Sequence, residues 1–306
     1  MKTHLKAIEA IALCKSYGSL QVLKNLNLEV EVGEIFGFLG HNGAGKTSFM
    51  KILIGLSYPS SGSVKLFGEN IQVKSKKKIG FLPEKVSIPG FLKAIEFLVY
   101  CARLSGKSTR EAYLQANELI EKVGLAEFKN EQTTNFSKGM LQKLALAQCM
   151  IGEPELLLLD EPGSGLDPLG TVELRNLILE QNQKRKVTIF LNSHRLLEVE
   201  KICTRIGILQ KGELIALGAI SDLTKGKNQI KLRLETWTES LMNLMFQISK
   251  EHKFINEQEV VLEPKEIIDT TQIPKLVVEN GGNILLYEKS YESLEEIFIR
   301  LTGGTK

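Results

Sequence analysis

Hydrophobic and polar residues alternate in short segments over residues 5–70, and glycines and a Pro-Ser-Ser-Gly turn interrupt them. Alternation with a period of two is typical of β-strands that bury one face. Within this region residues 35–39 form an apolar run that predicts a strand, and residues 48–56 predict a helix. We therefore predict strands and hairpins around one helix.

Helical periodicity dominates from residue 92 to about 156, where Ala94, Phe97, Leu98 and Cys101 are spaced to form one buried face. A short strand over 79–84, stopped by Pro83, precedes this region. Four consecutive leucines at 156–159 then predict a buried strand. A helix over about 169–183, a strand over 187–191 and a helix–strand pair to residue 209 follow. This alternation predicts a parallel sheet in an α/β fold.

The character of the chain changes near residues 225–227, where we place a domain boundary between 224 and 225. Residues 230–234 and 284–287 alternate like strands, whereas 240–252 and 293–301 have helical patterns. About 80 residues can fold alone. We expect a small accessory α+β domain over 225–306, whose role the pattern does not reveal.

Composition narrows the class of protein. The 306 residues allow about two domains, and the formal charge of +3 is too small to indicate nucleic-acid binding. Four scattered cysteines without a C-x-x-C pair indicate free thiols in a reducing compartment. A basic cluster at Lys74, Lys76, Lys77 and Lys78 is interpreted as a solvated turn, with contact to lipid headgroups as the alternative.

No apolar run approaches the roughly 18 residues of a membrane span. The segment before Cys14 faintly resembles a lipoprotein processing site, but Glu9 interrupts its apolar region and Leu13 is too large. We therefore expect a cytoplasmic protein. If it works at a membrane, a membrane-embedded partner must hold it there.

The predicted loop between strand and helix carries the clearest chemistry. Its sequence matches the phosphate-loop pattern G-x-x-x-x-G-K-[ST] at every position: Gly40, His41, Asn42, Gly43, Ala44, Gly45, Lys46 and Thr47. The glycines allow backbone N–H groups to approach phosphates, Lys46 reaches the β- and γ-phosphates, and the Thr47 hydroxyl can bind Mg²⁺. A chance glycine-rich turn is the alternative, which the flanking strand and helix disfavour. We predict binding of a nucleoside triphosphate.

Two carboxylates follow the leucine strand. Asp160 and Glu161 lie at its predicted C-terminal end, the edge at which such sheets bind ligands. Asp160 is expected to hold Mg²⁺ through water, and Glu161 to orient or deprotonate the attacking water. A solvated turn is the alternative interpretation.

Four further segments resemble ATP-binding cassette (ABC) ATPases. Residues 135–142 (Asn-Phe-Ser-Lys-Gly-Met-Leu-Gln) resemble the signature L-S-G-G-Q, and residues 160–168 resemble the Walker B and D-loop run. Ser193-His194 is similar to the switch histidine, and Tyr17 matches the aromatic residue on which adenine stacks. With six ordered motifs over about residues 5–220, the chain is identified as a member of this family.

The resemblance implies a P-loop NTPase core with an antiparallel β subdomain and a helical subdomain at about 85–155. It implies that Glu161, His194 and Lys46 are catalytic, and that Ser137 and Gly139 cover the γ-phosphate held by a second cassette. ATP and Mg²⁺ are the implied cofactors, with Thr47, Asp160 and Glu84 as metal ligands. The implied nucleotide contacts are Tyr17, residues 40–47, Ser48, Glu84, Ser137, Gly139 and Asp167.

Three positions depart from the family pattern. The signature has Lys138 in place of glycine and Met140 in place of glutamine, and Glu84 occupies the Q-loop position. A carboxylate there can still bind Mg²⁺ but changes the local electrostatics. These variants, and the C-terminal run at 293–303, are similar to single-cassette ATPases of bacterial drug, sodium, polysaccharide or lipid efflux systems.

The function that this resemblance implies is ATP hydrolysis by two cassettes that sandwich two ATP molecules and drive a separate membrane permease, in the direction of export. The implied partners are that permease and a second cassette, identical or different, at the cytoplasmic face of the plasma (inner) membrane; no nucleic acid is implied. The alternatives are a permease-free ABC protein of translation, DNA repair or iron–sulfur assembly, a regulatory ATP-binding protein without turnover, and an importer ATPase. A single phosphate loop disfavours the two-cassette translation factors.

Overall fold

The computed structural model describes residues 5–71, 76–224, 228–291 and 293–303. The chain divides into two compact units, one up to Ala219 and one from Ile220. This division lies five residues before the boundary predicted at 224/225. Residues 225–227, on which that prediction rests, and Lys74 of the basic cluster lie outside the described residues.

The first unit contains ten strands among its described residues. They are β1 (Lys6–Tyr17), β2 (Leu20–Glu31), β3 (Ile35–Leu39), β4 (Ser61–Leu66), β5 (Glu69–Asn70), β6 (Ile79–Leu82), β7 (Leu156–Asp160), β8 (Thr188–Asn192), β9 (Arg205–Gln210) and β10 (Glu213–Ala219). Its described helices are α1 (Lys46–Leu53), α2 (Ala94–Leu104), α3 (Thr109–Lys122), α4 (Lys138–Cys149), α5 (Pro168–Arg185) and α6 (Leu196–Ile202).

A mainly parallel sheet forms the centre of this unit. Its described strands follow the order β10-β9-β3-β8-β7-β6, and only β10 runs antiparallel to its neighbour. Every residue of β3, β7 and β8 is buried, which explains their continuous apolar runs, because helices cover both faces of such sheets. The carboxyl ends of these three strands meet at one edge.

The helix after the phosphate loop is fixed to this sheet by aromatic packing. Phe49 of α1 lies 5.4 Å from Phe38 of β3 and 5.7 Å from Phe190 of β8, measured between ring centroids. All three side chains are fully buried. Offset and tilted aromatic pairs stabilise such contacts beyond their buried area. This packing places the start of α1 above the carboxyl ends of β3 and β8.

An antiparallel sheet in the order β2-β1-β4-β5 carries Tyr17 at the end of β1. The helical region contains α2, α3 and α4, and Ala94, Phe97 and Leu98 are buried as predicted, whereas Cys101 is half-buried. A Ser108–Glu111 capping box begins α3. Together with the parallel sheet, these elements confirm the predicted α/β class.

The second unit contains β11 (Asn228–Leu234), β12 (Ser249–Phe254), β13 (Glu259–Pro264), β14 (Ile284–Tyr291), α7 (Ile220–Thr224), α8 (Glu239–Ile248), α9 (Ile273–Glu279) and α10 (Leu294–Thr302). The four described strands form an antiparallel sheet in the order β12-β13-β11-β14. Apolar residues of α8 and α9 pack with β11 and β13 in one core. The unit is therefore α+β, as predicted.

One helix of this unit was predicted too long. The helix predicted over 240–252 ends at Ile248, and residues from Ser249 onward form strand β12, which pairs with β13. The apolar spacing of α8 stops at Ile248, and the tertiary pairing with β13 then overrides the local helical preference. Among the described residues, no helix is long and apolar enough to cross a membrane.

Candidate nucleotide-binding and hydrolysis site

The phosphate loop connects β3 directly to α1, and two of its glycines are required by close packing. A Cβ at Gly45 would lie 2.5 Å from the Val22 carbonyl oxygen, and its φ of +115° disfavours any L side chain. A Cβ at Gly40 would overlap the carbonyl oxygen of Leu209. The helix begins at Lys46, two residues before the predicted start, so Lys46 and Thr47 occupy its first turn. Anions bind at such helix N-termini.

Lys46 is the cation of this loop and is 6% exposed. Its Nζ donates hydrogen bonds to the carbonyl oxygens of Gly40, at 2.6 Å, and His41, at 3.1 Å. Burial lowers the pKa of Lys46, while the carboxylates of Glu161, Asp160 and Glu84 act to raise it. Three acidic side chains therefore surround this ammonium group closely enough to affect its protonation.

Asp160 ends strand β7 and is 3% exposed. The amide Nδ2 of Asn192, the last residue of the adjacent strand β8, donates a hydrogen bond to Asp160 Oδ1. Burial raises the pKa of Asp160, and this hydrogen bond opposes the rise. Asn192 thus stabilises the ionised aspartate, since a hydrogen bond to the charged form favours that form.

Glu161 lies in the left-handed region, with φ of 50°. Its backbone N–H donates to the Asn192 carbonyl oxygen at 2.8 Å, which turns the chain after β7. Its carboxylate Oε1 lies 2.8 Å from His194 Nδ1 and accepts the His194 backbone N–H at 3.0 Å. The Ser193 hydroxyl lies 3.4 Å from the other oxygen, Oε2. The residue is rigidly oriented, with its side chain 11% exposed.

Tyr17 lies at the rim of the site and is 47% exposed. Hydrogen bonding with Ser57, and more weakly with Ser48, lowers the pKa of Tyr17, so its hydroxyl lies near Ser48 of α1 and near Ser57, which follows that helix. The Lys15 ammonium lies 4.7 Å from the centroid of the ring. An exposed aromatic ring next to a phosphate loop is suited to stacking on a nucleotide base.

The signature residues Ser137 and Gly139 lie at the start of α4 and not beside the phosphate loop. The Ser137 hydroxyl caps α4 by accepting the Met140 backbone N–H at 3.2 Å. A Cβ at Gly139 would lie 3.4 Å from the carbonyl oxygen of Gly165, so the signature packs against the turn that follows Glu161. Asp167 also caps a helix, because its Oδ1 accepts the Gly170 N–H at 2.7 Å.

Lys138, the first departure from the family signature, lies across this turn. Its aliphatic stem occupies the space that a side chain at Gly165 would need. Its Nζ donates to the Ser164 hydroxyl over 3.4 Å, and the Ser164 N–H donates to the Glu161 carbonyl oxygen at 3.0 Å. The signature is therefore connected through Ser164 to the backbone of Glu161.

The structure thus brings together part of the predicted set. Lys46, Asp160, Glu161 and His194 meet at the carboxyl ends of β3, β7 and β8, and Glu84 follows β6 nearby. Ser137, Gly139 and Asp167 form a second group at the turn 163–167. Among the described residues, no hydrogen bond joins this group to residues 40–48.

Sequence reasoning missed Asn192. The apolar pattern predicts that β8 ends at Leu191, and the histidine motif at 193–194 does not include Asn192. Its position offered one signal, because a polar residue at the carboxyl end of a buried parallel strand lies at the ligand-binding edge.

The acidic residues around Asp160 fit a magnesium ion. The negative charges of Glu161 and Glu84 both act to raise the pKa of Asp160, and Glu161 is engaged by His194. In the described part of the chain, no group of three or more His, Cys, Asp or Glu side chains could hold a metal. Mg²⁺ is commonly bound by one or two carboxylates together with phosphate oxygens and water. The donor set therefore suits a metal that arrives with a nucleotide.

The fold and site define a P-loop ATPase, and comparisons with known proteins identify its family. Residues 23–164 match the family model described as ABC transporter. The bacitracin transport ATP-binding protein BcrA of Bacillus licheniformis is 35% identical over 302 residues, which cover 97% of each chain. The protein of the same name from Enterococcus faecalis is 33% identical over 97% of this chain and 96% of its own length. The chain belongs to the ABC transporter ATP-binding proteins and is an ATPase.

Solved structures agree with this assignment. A structure described as the ATP-binding subunit of an ABC transporter is 30% identical, has a TM-score of 0.65, and covers 71% of this chain and 91% of its own. The ATP-binding cassette MJ0796, solved as a dimer with ADP and phosphate, has a TM-score of 0.65 at 24% identity and therefore shows the fold alone. The predicted family, fold and ATPase activity are confirmed.

Proposed function

We propose that this ATPase hydrolyses ATP in a dimer of two cassettes and thereby drives a separate membrane permease that exports its substrate. The observation that carries the proposal is the Glu161 carboxylate, held by His194 next to Asp160 and Lys46. A buried, oriented carboxylate beside a phosphate loop is suited to a general base for water.

ATP binding begins with the phosphate loop. The phosphates lie along the backbone N–H groups of residues 40–48, and adenine stacks on the exposed ring of Tyr17. Phosphate oxygens compete with the Gly40 and His41 carbonyls for the Lys46 ammonium group. Thr47, Asp160 and Glu84 would hold Mg²⁺, which when bound supplies positive charge that stabilises the departing phosphate.

Hydrolysis then uses Glu161. Because Oε1 already accepts two N–H groups of His194, Oε2 is the oxygen better placed to accept a proton from the attacking water. His194 is 67% exposed in its side chain, so its Nε2 edge is open toward the γ-phosphate. Lys46 and His194 stabilise the charge that develops on the transferred phosphoryl group.

The separation of the two groups of residues supports the proposed dimer. Ser137 begins a twelve-residue helix, a place that favours anions, yet it lies with the turn 163–167 of its own chain. A second cassette in a head-to-tail arrangement would bring Ser137 and Gly139 to the γ-phosphate. Hydrolysis would remove the group that bridges the two halves, and the dimer would reopen.

The permease would bind the helical region. Large apolar side chains are exposed there, among them Phe91, Tyr100, Leu104 and Leu114. Such side chains suit the coupling helix of a permease, because exposed apolar patches mark interaction surfaces. This contact would hold the protein at the cytoplasmic face of the membrane.

A transport role is supported by relatives that match this chain along nearly its whole length. The Bacillus licheniformis protein is named for bacitracin transport, and it matches this chain along 97% of both lengths, including the second unit. Bacitracin is therefore the first cargo to test, by comparing the growth of cells with and without this chain in its presence. Unchanged sensitivity would exclude bacitracin.

The decisive experiment is a pull-down of tagged Glu161→Gln protein from detergent-solubilised membranes of its native cell, with ATP and with ADP. We expect a polytopic membrane protein to co-purify in ATP, because blocked hydrolysis preserves the ATP-bound complex. Only soluble partners in both nucleotides, with the protein absent from membranes, would contradict the transporter role and favour a permease-free ABC ATPase.

A further inference from the structure

Asn192 occupies a central position in the site. In the parallel register it lies between Phe38 of β3 and Asp160 of β7, and it is 2% exposed. Residues that pair in register present their side chains to the same face of a sheet. This is the face that α1 covers, since Phe38 packs against Phe49. Asn192 therefore lies below the helix that follows the phosphate loop.

The orientation of the Asn192 amide is determined by its neighbour. An ionised carboxylate only accepts hydrogen bonds, so the amide must present its NH₂ group to Asp160. The amide oxygen Oδ1 consequently faces away from that carboxylate. It is fully buried and has no hydrogen-bond partner, one of three such side-chain atoms in the described residues, with Gln115 Oε1 and Trp237 Nε1.

A buried acceptor without a donor is destabilising, and most such groups in native proteins bind a water molecule or a ligand. Of the three unpaired atoms, only Asn192 Oδ1 belongs to a residue that contacts Asp160. Magnesium retains several water molecules when it binds with a nucleotide, and these waters are strong hydrogen-bond donors. A water molecule carried by the magnesium ion could therefore donate the hydrogen bond that Asn192 Oδ1 lacks.

We propose that Asn192 is a positioning residue for the metal: its NH₂ group fixes Asp160, and its Oδ1 accepts a hydrogen bond from a water molecule bound to Mg²⁺. The inference rests on the magnesium site of the proposed function and adds Asn192 to the residues of that site. Outer partners of this type orient the direct ligands, and their loss commonly weakens metal affinity by about 10-fold to 100-fold.

The test is a titration of MgCl₂ into the full-length protein with ADP, which measures ADP affinity by calorimetry at each metal concentration. Asn192→Leu removes both polar atoms at similar volume. We expect the Mg²⁺ concentration that gives half-maximal enhancement of ADP affinity to rise about 10-fold or more in this variant. If Mg²⁺ enhances the ADP affinity of Asn192→Leu at the same concentration that the wild type requires, the inference is overturned.

Two further variants make the result specific. Asn192→Asp keeps acceptor oxygens but loses the NH₂ donor to Asp160, so we expect its Mg²⁺ requirement to stay below that of Asn192→Leu; a requirement equal to that of Asn192→Leu would overturn the role of Oδ1. Thr188→Val is the matched control, because Thr188 is a buried polar residue at the other end of β8 and accepts the Gly33 N–H. It should leave the Mg²⁺ requirement unchanged.

The design also separates this inference from the proposed function. If the wild-type protein binds ADP with no Mg²⁺ dependence, the metal site itself fails. If the wild type shows a Mg²⁺ dependence and the Asn192 variants show the same Mg²⁺ requirement, the metal site stands and the role of Asn192 fails. Should Asn192→Leu not bind metal-free ADP, Asn192→Ala replaces it with the same expectation, and a wild-type Mg²⁺ requirement in that variant overturns the inference.

Discussion

His194 Nδ1 lies 2.8 Å from Glu161 Oε1, and the backbone N–H of the same histidine donates to the same oxygen at 3.0 Å. Because an ionised carboxylate cannot donate, the proton between the two side chains resides on Nδ1. A neutral ring then carries a lone pair on Nε2. Donation from Nε2 to a phosphate oxygen therefore requires a ring that carries a proton on both nitrogens.

Glu161→Gln should reduce the rate of ATP hydrolysis by at least about 100-fold, the usual contribution of a general base. The glutamine side chain can still contact His194, so ATP affinity should remain close to that of the wild type. Single-turnover hydrolysis and equilibrium binding of ATP measure the two quantities separately.

The matched control for this variant is Glu173→Gln. Glu173 lies on α5 and forms an ion pair with Lys143 at 2.6 Å, outside the site. Surface pairs of this kind contribute at most about 1 kcal/mol to stability, so hydrolysis should be unaffected. Rapid hydrolysis by Glu161→Gln, with this control normal, would remove Glu161 from its proposed role.

His194→Ala should lower the single-turnover rate by about 100-fold, because it removes one donor to the developing charge and one partner of Glu161. The backbone N–H at position 194 remains, so Glu161 stays partly oriented. In the double variant with Glu161→Gln, we expect a loss well below the product of the two single losses, since residues that act as a unit are not additive. Multiplicative losses would indicate independent roles.

The sequence predicted the central strands and the loop well for a physical reason. Strands β3, β7 and β8 are buried on both faces, so their apolar runs are continuous, and the glycines of the loop are required by contacts such as that of Gly45 with Val22. Local sequence carries these constraints. The parallel order of the strands then places Lys46, Asp160 and Glu161 at one edge.

Other features depend on contacts between distant segments. Asn192 acquires its role from pairing with Asp160, 32 residues earlier, which no local pattern records. The contact of Lys138 with Ser164 also crosses a large separation in sequence. The strand that begins at Ser249 follows a helix with no proline or glycine between them, and only pairing with β13 determines where that helix ends.

Tyr17→Ala should weaken ATP binding by about 10-fold to 100-fold, since stacking of a base on an aromatic ring contributes about 1–3 kcal/mol. Tyr17→Phe retains the ring and loses only the hydroxyl contacts with Ser57 and Ser48, so it should bind ATP nearly as the wild type does. Fluorescence titration with an ATP analogue measures both. Equal weakening in the two variants would assign the effect to the hydroxyl.

The four cysteines should react with a thiol reagent in a defined order at pH 8. A hydrogen bond from the Asn25 backbone lowers the pKa of Cys14, whereas burial raises the pKa of Cys101 to about 11. Burial raises the pKa values of Cys149 and Cys203 still further. The thiolate reacts, and Cys101 is about one-thousandth thiolate at pH 8. Cys14 should therefore be modified first.

Raising the pH to 10 should increase the reaction rate of Cys101 about 100-fold, because its thiolate fraction rises tenfold per pH unit below its pKa. Mass spectrometry of alkylated peptides follows each cysteine separately. Cys14→Ser should abolish the fast phase at pH 8. A fast phase that persists in this variant would contradict the assignment.

Lys138→Glu should reduce ATP hydrolysis about tenfold while leaving the free energy of unfolding within about 0.5 kcal/mol. Lys138 is the first residue of α4, where the helix dipole disfavours a cation, so its removal does not weaken the helix. In sequence Lys138 lies between Ser137 and Gly139, which we place at the γ-phosphate of the second cassette, and its Nζ contacts Ser164 next to the Glu161 turn. A carboxylate there repels the phosphate.

Lys184→Glu provides the matched charge reversal, because Lys184 lies exposed near the end of α5. It changes the net charge by the same amount, so any general electrostatic effect on ATP appears in both variants. The steady-state rate of ATP hydrolysis, measured at several protein concentrations, should fall in Lys138→Glu and not in Lys184→Glu. A higher protein concentration should partly restore the rate of Lys138→Glu, because its defect lies in the pairing of the two cassettes. Equal losses in the two variants would assign the effect to net charge rather than to the signature.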